Sequence, residues 1–354
     1  MTFDPDAPAS GDGLYGLPTT PDAAAVIVLP VPWEATTSYK RGTRHGPARL
    51  HEASLQVDLH DLDVGPAWEH GIAALPEDPE IVAWTDAAEP DALAVIAAQA
   101  EDPEAPEVLE AAARVNALGD RLNTRVEMNV REIYARGAIP ALVGGDHAVP
   151  FGGIVAAAER YPGLGVLHLD AHADLRDAYE GFTWSHASIM HNVMTRLPAV
   201  EKLVQVGIRD VGAAEVAFIR ENPERIRTFF DGELARGLAR GRTWMSLVDD
   251  IVEALPAHVW ISFDVDGLDP SWCPATGTPV PGGLSFRDAV ILLEAVAERR
   301  HIVGFDLNEI GDAEWDGNVA ARLLYKLCGW AVKSREETRF RAATATQHGV
   351  RAPG

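Results

Sequence analysis

The sequence predicts an α/β protein, a three-layer α-β-α sandwich with a mostly parallel central sheet. From residue 139 onward, short apolar runs alternate with amphipathic segments of helical period, which indicates a parallel sheet covered on both faces. No internal repeat or clear linker interrupts this rhythm, which favours one domain. The predicted strands are 139–143, 164–169, 202–206, 226–230, 259–263 and 302–307. The predicted helices are about 150–161, 186–196, 213–221, 243–254, 286–299 and 318–331.

The first part of the chain contains the same kinds of element. An apolar run predicts a strand over residues 24–31, and Pro47 is placed to begin a helix that covers residues 48–54. A long helix is predicted over residues 106–136, because its apolar residues recur at gaps of three and four. Gly137 is a natural end for it.

The domain boundaries follow from composition. Residues 1–22 are rich in Pro, Gly and Asp and are expected to form a flexible arm. Residues 23–332 are expected to form a single domain. Within it, residues 66–106 look like an acidic, Pro-rich insertion with one short helical candidate at 91–99. Residues 333–354 are expected to form a polar C-terminal tail.

The charge and cysteine content restrict the class of protein. The net charge of −23 argues against nucleic acid or an anionic membrane as a partner and is compatible with a cationic ligand. Cys273 and Cys328 have neither metal-site nor redox spacing. No apolar run approaches the length of a membrane span, and the N-terminus lacks the features of a signal peptide. We therefore expect a cytoplasmic protein.

The central motif is G-V-L-H-L-D-A-H-A-D, residues 165–174. It places Asp170, His172 and Asp174 two residues apart after an apolar strand, so an extended backbone would direct all three to one face. Carboxylates and imidazoles are ligands for divalent ions such as Mn, Fe, Co, Ni or Zn. A solvated acidic loop after a strand is the alternative interpretation of this motif alone.

Two other predicted strand ends carry similar side chains. His147 follows one strand in G-G-D-H, and Asp264 and Asp266 follow another in D-V-D. Ligands of a parallel sheet bind at the carboxyl ends of its strands, so these residues are expected to meet the central motif. Four carboxylates and two imidazoles exceed the needs of one ion, which favours two divalent ions. Taken singly, each Asp could instead cap a turn, and His147 could be a core histidine.

The sequence resembles the ureohydrolase family of arginases and agmatinases over about residues 27–327. The strings G-G-D-H, D-A-H-A-D, S-F-D-V-D-G-L-D-P and G-T-P-V-P-G-G-L-S carry the resemblance. D-L-R-D-A-Y-E-G-F-T-W-S-H-A-S, residues 174–188, is most similar to the agmatinase branch. The resemblance implies an arginase-like fold and two metals, usually manganese, with nickel in some guanidine hydrolases. It also implies ligand roles for six residues: Asp170 and Asp264 as bridges, His147 and Asp174 on one metal, and His172 and Asp266 on the other.

The resemblance also implies roles in the hydrolysis of a guanidino group. Glu309 would hold the flat guanidinium by paired hydrogen bonds, and His186 would deliver a proton to the leaving amine. Asp174 would accept a hydrogen bond from the attacking water as well as bind metal. The loop that contains Thr276 and Gly277 would offer carbonyl groups to the substrate.

Several further residues receive expectations of their own. Trp184, Trp33 and Tyr39 are expected to narrow the pocket. Asp146 is expected to support a ligand histidine. Arg176 is expected to form a structural ion pair with Glu180; the alternative is that Arg176 meets an anionic substrate tail.

The resulting functional hypothesis is an agmatinase-like enzyme that converts agmatine and water to putrescine and urea. Free guanidine, or another short guanidino compound such as guanidinobutyrate, is the alternative substrate. A hypothesis of another class is a non-catalytic, metal-bound sensor of guanidino compounds. The resemblance also implies a homotrimer or homohexamer.

Overall fold

The computed structural model describes residues 3–9 and 11–347, with side chains up to residue 338. Eight strands of this part of the chain form one sheet, and every pairing in it is parallel. The order across the sheet is β2-β1-β3-β8-β7-β4-β5-β6. The strands are β1 Val26–Val31, β2 Ile72–Ala74, β3 Ile139–Gly144, β4 Leu164–Leu169, β5 Val200–Ile208, β6 Ile226–Phe230, β7 His258–Asp264 and β8 His301–Asn308.

Helices cover both faces of the sheet. They are α1 Gly46–Ser54, α2 Pro79–Ala98, α3 Pro106–Ala135, α4 Phe151–Arg160, α5 Ile189–Arg196, α6 Ala213–Glu221, α7 Asp231–Ala239, α8 Trp244–Glu253, α9 Phe286–Arg299 and α10 Glu314–Gln347. One apolar cluster joins the sheet to α1 and α7–α10, and a second joins it to α2–α6. The predicted three-layer α/β architecture is therefore confirmed. Within the described chain, no helix combines the length and apolar character needed to cross a membrane.

The expected flexible arm at residues 1–22 is packed where the structure describes it. Leu14, Tyr15 and Leu17 are buried in the apolar core, and the Tyr15 hydroxyl donates a hydrogen bond of 2.8 Å to the Ala321 carbonyl of α10. The Pro- and Gly-rich composition of the segment predicts flexibility, but the burial of these three side chains holds the irregular segment against the core.

The expected insertion at residues 66–106 contains more regular structure than its composition indicates. It holds β2 and the 20-residue helix α2, in place of a single short helix at 91–99. Asp78 caps the N-terminus of α2 by accepting a hydrogen bond from Glu80 N–H. The buried face of α2 is rich in alanine, and Pro90 lies inside the helix. Both features weaken the apolar periodicity from which a helix is predicted, so the full length of α2 is not evident in the sequence.

Two differences concern the later helices. Helix α7 is absent from the sequence prediction, and α10 extends to Gln347 instead of ending near residue 331. The Ser334 side chain, which lies in the expected polar tail, is buried and accepts a hydrogen bond from Ile302 N–H at the start of β8. Because this hydrogen bond satisfies a buried backbone N–H, the polar Ser334 can be buried against the sheet, and α10 continues past it.

The strand order determines where the candidate site forms. Strands β3, β8, β7 and β4 are neighbours, although β8 is last in the chain. All of them are parallel, so their carboxyl ends lie at the same edge of the sheet. His147, Glu309 and Asp170 follow β3, β8 and β4, and Asp264 is the last residue of β7. Residues far apart in sequence therefore meet at one edge.

Candidate metal centre

The six predicted metal ligands lie together at this edge. The His147 Nδ1 atom is 2.9 Å from Asp170 Oδ2, 3.2 Å from Asp264 Oδ2 and 3.4 Å from Asp174 Oδ2. The His172 Nδ1 atom is 3.1 Å from an Asp266 oxygen and 3.4 Å from Asp170 Oδ1. All except the partly exposed His172 are buried.

Five of these side chains, together with His168, form two groups of possible ligands, each with its donor atoms within 4.8 Å of one another, whereas Asp264, the second expected bridge, belongs to neither group. Asp170 belongs to both groups, with Oδ2 among the atoms of the first and Oδ1 facing His172 of the second. A carboxylate with its two oxygens in two adjacent sites is arranged to bridge two cations. The groups are His147, His168, Asp170 and Asp174, and Asp170, His172 and Asp266.

The electrostatics of the cluster match a cationic occupant. Burial, followed by the neighbouring Asp170 carboxylate, raises the pKa of Asp174 well above its ordinary value. Burial, followed by Asp266 and Asp170, does the same to the pKa of Asp264. The Asp174 Oδ2 atom is buried and has no hydrogen-bond partner. Unpaired buried carboxylates are costly, and divalent cations would compensate them, so this donor set fits two divalent ions.

Two residues of the site have a left-handed backbone. Asp174 has φ of 54° and Glu309 has φ of 62°. Residues other than glycine rarely adopt this conformation, which costs of order 1 kcal/mol or more and is found preferentially at functional sites. Both lie just beyond strand ends, β4 for Asp174 and β8 for Glu309. The backbone strain is thus located where the two side chains turn into the site.

Glu309 lies beside the metal ligands and the predicted substrate loop. Its Oε1 atom accepts a hydrogen bond of 2.9 Å from the His147 backbone N–H. A Cβ atom on Gly277 would come within 3.0 Å of Glu309 Oε2, so that loop lies directly against the carboxylate. Burial, followed by Asp264 and Asp146, raises the pKa of Glu309 well above its ordinary value. Thr276 is buried in the same loop.

His186 lines a cavity of about 180 Å³ together with His172 and Asp174. Burial, followed by His172 and His147, lowers the pKa of His186 to about 4. The His186 Nδ1 atom is 3.2 Å from the Thr36 hydroxyl. His186 thus lies on the cavity wall next to the predicted metal ligands.

Asp146 acts on a different histidine from the one expected. It accepts hydrogen bonds from Thr36 N–H and from the Thr36 hydroxyl, each 3.1 Å long. Because the Thr36 proton is directed to Asp146, the hydroxyl oxygen can accept from His186. The prediction that Asp146 supports a ligand histidine is therefore replaced by a chain from Asp146 through Thr36 to His186.

The aromatic residues expected to narrow the pocket lie elsewhere. The Trp184 indole N–H donates a hydrogen bond of 2.7 Å to Asp120 on α3, and its ring packs on Phe151 at a centroid distance of 4.8 Å. Trp33 is fully buried in the core, and Tyr39 is 73% exposed. None of the three lines the cavity at His186.

The expected Arg176–Glu180 ion pair is also wrong. The Arg176 Nε atom lies 3.8 Å from Glu215 Oε2, and the guanidinium stacks over the Tyr179 ring at 4.8 Å. The turn at residues 179–182 places Glu180 at φ of 53°, and its buried Oε2 atom has no partner. Arg176, Tyr179 and Glu215 all line the cavity.

His168 is a further member of the cluster that the sequence did not lead us to predict. Its Nε2 atom lies 2.8 Å from Asp170 Oδ2. The sequence contains a signal for it, because His168 extends the two-residue spacing of Asp170, His172 and Asp174 backwards into the strand. The signal is easily missed, since a strand buried in a parallel sheet is expected to be apolar throughout.

The metal-free protein is expected to lose stability as the pH rises from 5 to 8. Burial raises the pKa of Asp146 and of Asp306 to about 6, and the pKa of Asp174, Asp264 and Glu309 lies well above the ordinary value. A group with a raised folded-state pKa stabilises the fold fully below its unfolded pKa and no longer above its folded pKa. A difference of one in pKa between the folded and unfolded states corresponds to about 1.4 kcal/mol.

Urea denaturation in the presence of a chelator, at pH 5, 6.5 and 8, measures this loss. The lowered pKa values of His168, His186, His191 and His258 act in the opposite direction, whereas the raised pKa values of Glu180 and Asp316 add to the expected loss. Repeating the series with Mn²⁺ should remove or reverse the trend, since a cation stabilises the ionised carboxylates. A free energy of unfolding that rises between pH 5 and 8 without metal would contradict the assignment.

Comparisons with known proteins point to one family. The model of the Arginase family matches residues 24–329. An N(1)-aminopropylagmatine ureohydrolase of Thermus thermophilus is 34% identical over 322 residues, which are 89% of this chain and 94% of the relative. An agmatinase of Pyrococcus horikoshii is 29% identical over 328 residues, 88% of this chain and 93% of the relative.

Solved structures agree on the fold. The agmatine ureohydrolase of Thermoplasma volcanium superposes with a TM-score of 0.68 at 22% identity, over 93% of this chain and 97% of the other. The family match covers the sheet and every residue of the metal cluster. The chain is therefore a hydrolase of the arginase family, whose named relatives cleave C–N bonds of amidino groups.

Proposed function

We propose that this protein is a two-metal ureohydrolase that releases urea from a guanidinoalkylamine, with agmatine as the reference substrate. The observation that carries the substrate class is the acidic lining of the cavity beside the metal cluster. Asp174 of the cluster and Glu215 line this cavity, and the Arg176 guanidinium on its wall lies 3.8 Å from Glu215. Asp210 is exposed at the outer wall of the cavity. A substrate with a cationic head and a cationic tail matches charges at both ends.

The space around Arg176 supports a substrate longer than guanidine itself. A second cavity of about 440 Å³ shares Arg176 and Glu215 with the cavity at His186. The aromatic residues that would have narrowed the entrance do not line it. Asp210 lines the first cavity together with Arg176, which supports an aliphatic tail that extends towards Asp210. The aminopropyl extension named for the Thermus thermophilus relative belongs to the same chemical class.

The side chains divide the reaction between them. When bound, two divalent ions lower the pKa of water and supply a nucleophile at neutral pH. Glu309 accepts hydrogen bonds from the flat guanidinium, which orients its carbon for attack. His186 carries a proton to the leaving amine, and the chain from Asp146 through Thr36 orients its ring. The products are urea and the amine of the tail.

A urea-release panel tests the proposal. Protein loaded with Mn²⁺ should turn over agmatine or N(1)-aminopropylagmatine with kcat/KM at least about tenfold above guanidinobutyrate, which corresponds to about 1.4 kcal/mol. The anionic tail of guanidinobutyrate would face Asp210, whereas the cationic tails would be attracted to it. Arginine and free guanidine complete the panel, and loading with Ni²⁺ is a parallel arm.

Two variants distinguish the role of the tail site from a general effect of charge. Asp210→Asn should reduce the preference for the cationic tails, while the control Asp249→Asn should not, because Asp249 is an exposed carboxylate that pairs with Arg299 and lines neither cavity. Preferred turnover of free guanidine would overturn the substrate class. Tight binding of a guanidino compound without turnover of any would instead favour the sensor. We also propose a cytoplasmic location. We further propose a homotrimer or homohexamer, and light scattering of the purified protein tests this oligomeric state.

A further inference from the structure

A row of buried polar side chains crosses the sheet beneath the metal cluster. The strand register pairs Thr228 of β6 with Gln205 of β5, Gln205 with His168 of β4, His168 with Ser262 of β7, and Ser262 with Asp306 of β8. All five are buried. His168 precedes Asp170 by two residues, and Ser262 precedes Asp264 by two, so the row lies on the same face, one step below two ligand carboxylates.

The hydrogen bonds of Gln205 have only one consistent direction. The Gln205 Nε2 atom is 2.7 Å from the Ala173 carbonyl, which can only accept. The Thr228 hydroxyl donates to Gln205 Oε1 at 2.9 Å. The second N–H of the Gln205 amide therefore points at His168 Nδ1, 3.1 Å away, and donates to it.

This direction determines which nitrogen of His168 carries the proton. Since Nδ1 accepts from Gln205, the neutral ring carries its hydrogen on Nε2. That N–H donates to Asp170 Oδ2 over 2.8 Å. Both ring nitrogens are then occupied, and His168 has no free lone pair with which to bind a metal.

The other half of the row acts on His147 by the same logic. The Ser262 hydroxyl donates to Asp306 Oδ1 at 2.8 Å, and Asp306 also accepts from the side chains of Trp260 and Asn308. The Ser262 oxygen can therefore accept from His147 Nε2, 2.8 Å away. The His147 Nδ1 lone pair is left facing the cluster carboxylates.

We infer that the row Thr228–Gln205–His168–Ser262–Asp306 positions the metal ligands from below, and that His168 is a positioning residue and not a ligand. One half of the row directs an N–H to the bridging carboxylate Asp170. The other half directs the Nδ1 lone pair of His147 towards the metals. This inference rests on the two-metal centre of the proposed function.

The competing interpretation is direct ligation by His168, whose Nε2 lies within the first group of possible ligands. The two interpretations predict opposite effects of Gln205→Glu. A carboxylate at position 205 would draw the proton of the His168 ring to Nδ1, and Asp170 would then lose the N–H that donates to it. If the His168 ring were instead doubly protonated, it would add positive charge beside the metals. Positioning therefore predicts weaker metal binding. A carboxylate behind a ligating histidine increases its basicity, so ligation predicts binding that is equal or tighter.

The first measurement is Mn²⁺ affinity by equilibrium dialysis with elemental analysis. We expect Gln205→Glu to raise the dissociation constant about 10- to 100-fold, the usual cost of losing a residue that supports a ligand. An unchanged or lower dissociation constant would overturn the inference. The wild-type protein is measured first. Failure of the wild type to bind two ions would overturn the proposed function, whereas normal binding by both proteins would overturn only the positioning row.

A second pair of variants keeps the inference testable if Gln205→Glu fails to fold. His168→Gln retains an N–H directed at Asp170, whereas His168→Leu does not. Positioning predicts near wild-type metal affinity for His168→Gln and a loss of about 10- to 100-fold for His168→Leu. Ligation predicts that both lose metal equally. Thr85→Val is the matched control, because Thr85 is a buried hydroxyl on α2 that bonds only backbone carbonyls; its metal affinity should be unchanged.

Discussion

Asp170→Asn will lose both metal ions and lower the rate of urea release by about 10³-fold or more. Asp170 is the one carboxylate shared by the two groups of possible ligands, so its change affects both sites. Asparagine has the same shape but only one acceptor oxygen and no charge. Metal ions stabilise the transition state by several kcal/mol, and each 1.36 kcal/mol corresponds to a factor of ten in rate.

Elemental analysis after dialysis, combined with urea release from agmatine, measures both effects. The control is Asp249→Asn, because Asp249 is an exposed carboxylate on α8 that pairs with Arg299 away from the site. This control should keep two ions per chain and full activity. Retention of two ions by Asp170→Asn would mean that Asp170 does not bridge them.

Glu309→Gln will lower kcat/KM about 10²- to 10³-fold while metal content stays at the wild-type level. The substitution preserves the oxygen that accepts from His147 N–H, so the local backbone is retained. It removes the charge that pairs with the guanidinium, and hydrogen bonds to charged groups contribute about 1.5–3 kcal/mol each. Glu309 is not a member of either group of possible metal ligands, so the metals should remain.

The comparison of Glu309→Gln with Asp170→Asn separates the two roles. Both variants lose activity, but only the second loses metal. Binding of an unreactive guanidino compound to the metal-loaded protein gives a further readout, and it should weaken in Glu309→Gln. An activity within about tenfold of the wild type would show that another group anchors the guanidinium.

The strand pattern predicts most of the sheet because it rests on local information. Apolar runs such as the one before Asp170 are buried on both faces of a parallel sheet, so they stand out in the sequence. The prediction fails where local composition and tertiary packing disagree. Residues 14–17 and the alanine-rich helix α2 have weak local signals but are covered by neighbours that the sequence does not reveal.

The candidate ligands are predictable for a related reason. Asp170, His172 and Asp174 have a spacing of two residues, and that spacing gives them a common face in an extended backbone. The expectation for Trp184 is wrong, since this residue is adjacent in sequence to the site but its ring turns to α3. Sequence proximity does not determine the direction of a side chain in a loop.

By itself, the sequence determined the fold class, the identities of the candidate ligands and the edge of the sheet at which they gather. These depend on side-chain chemistry and on periods of two and of about 3.6 residues, which are local properties. The tertiary structure alone decided which atoms face each other: Asp170 shared by two groups, Thr36 between Asp146 and His186, and Arg176 against Glu215. The physical reason is that strands distant in the chain become neighbours only when the sheet forms, and hydrogen-bond direction depends on which neighbours they are.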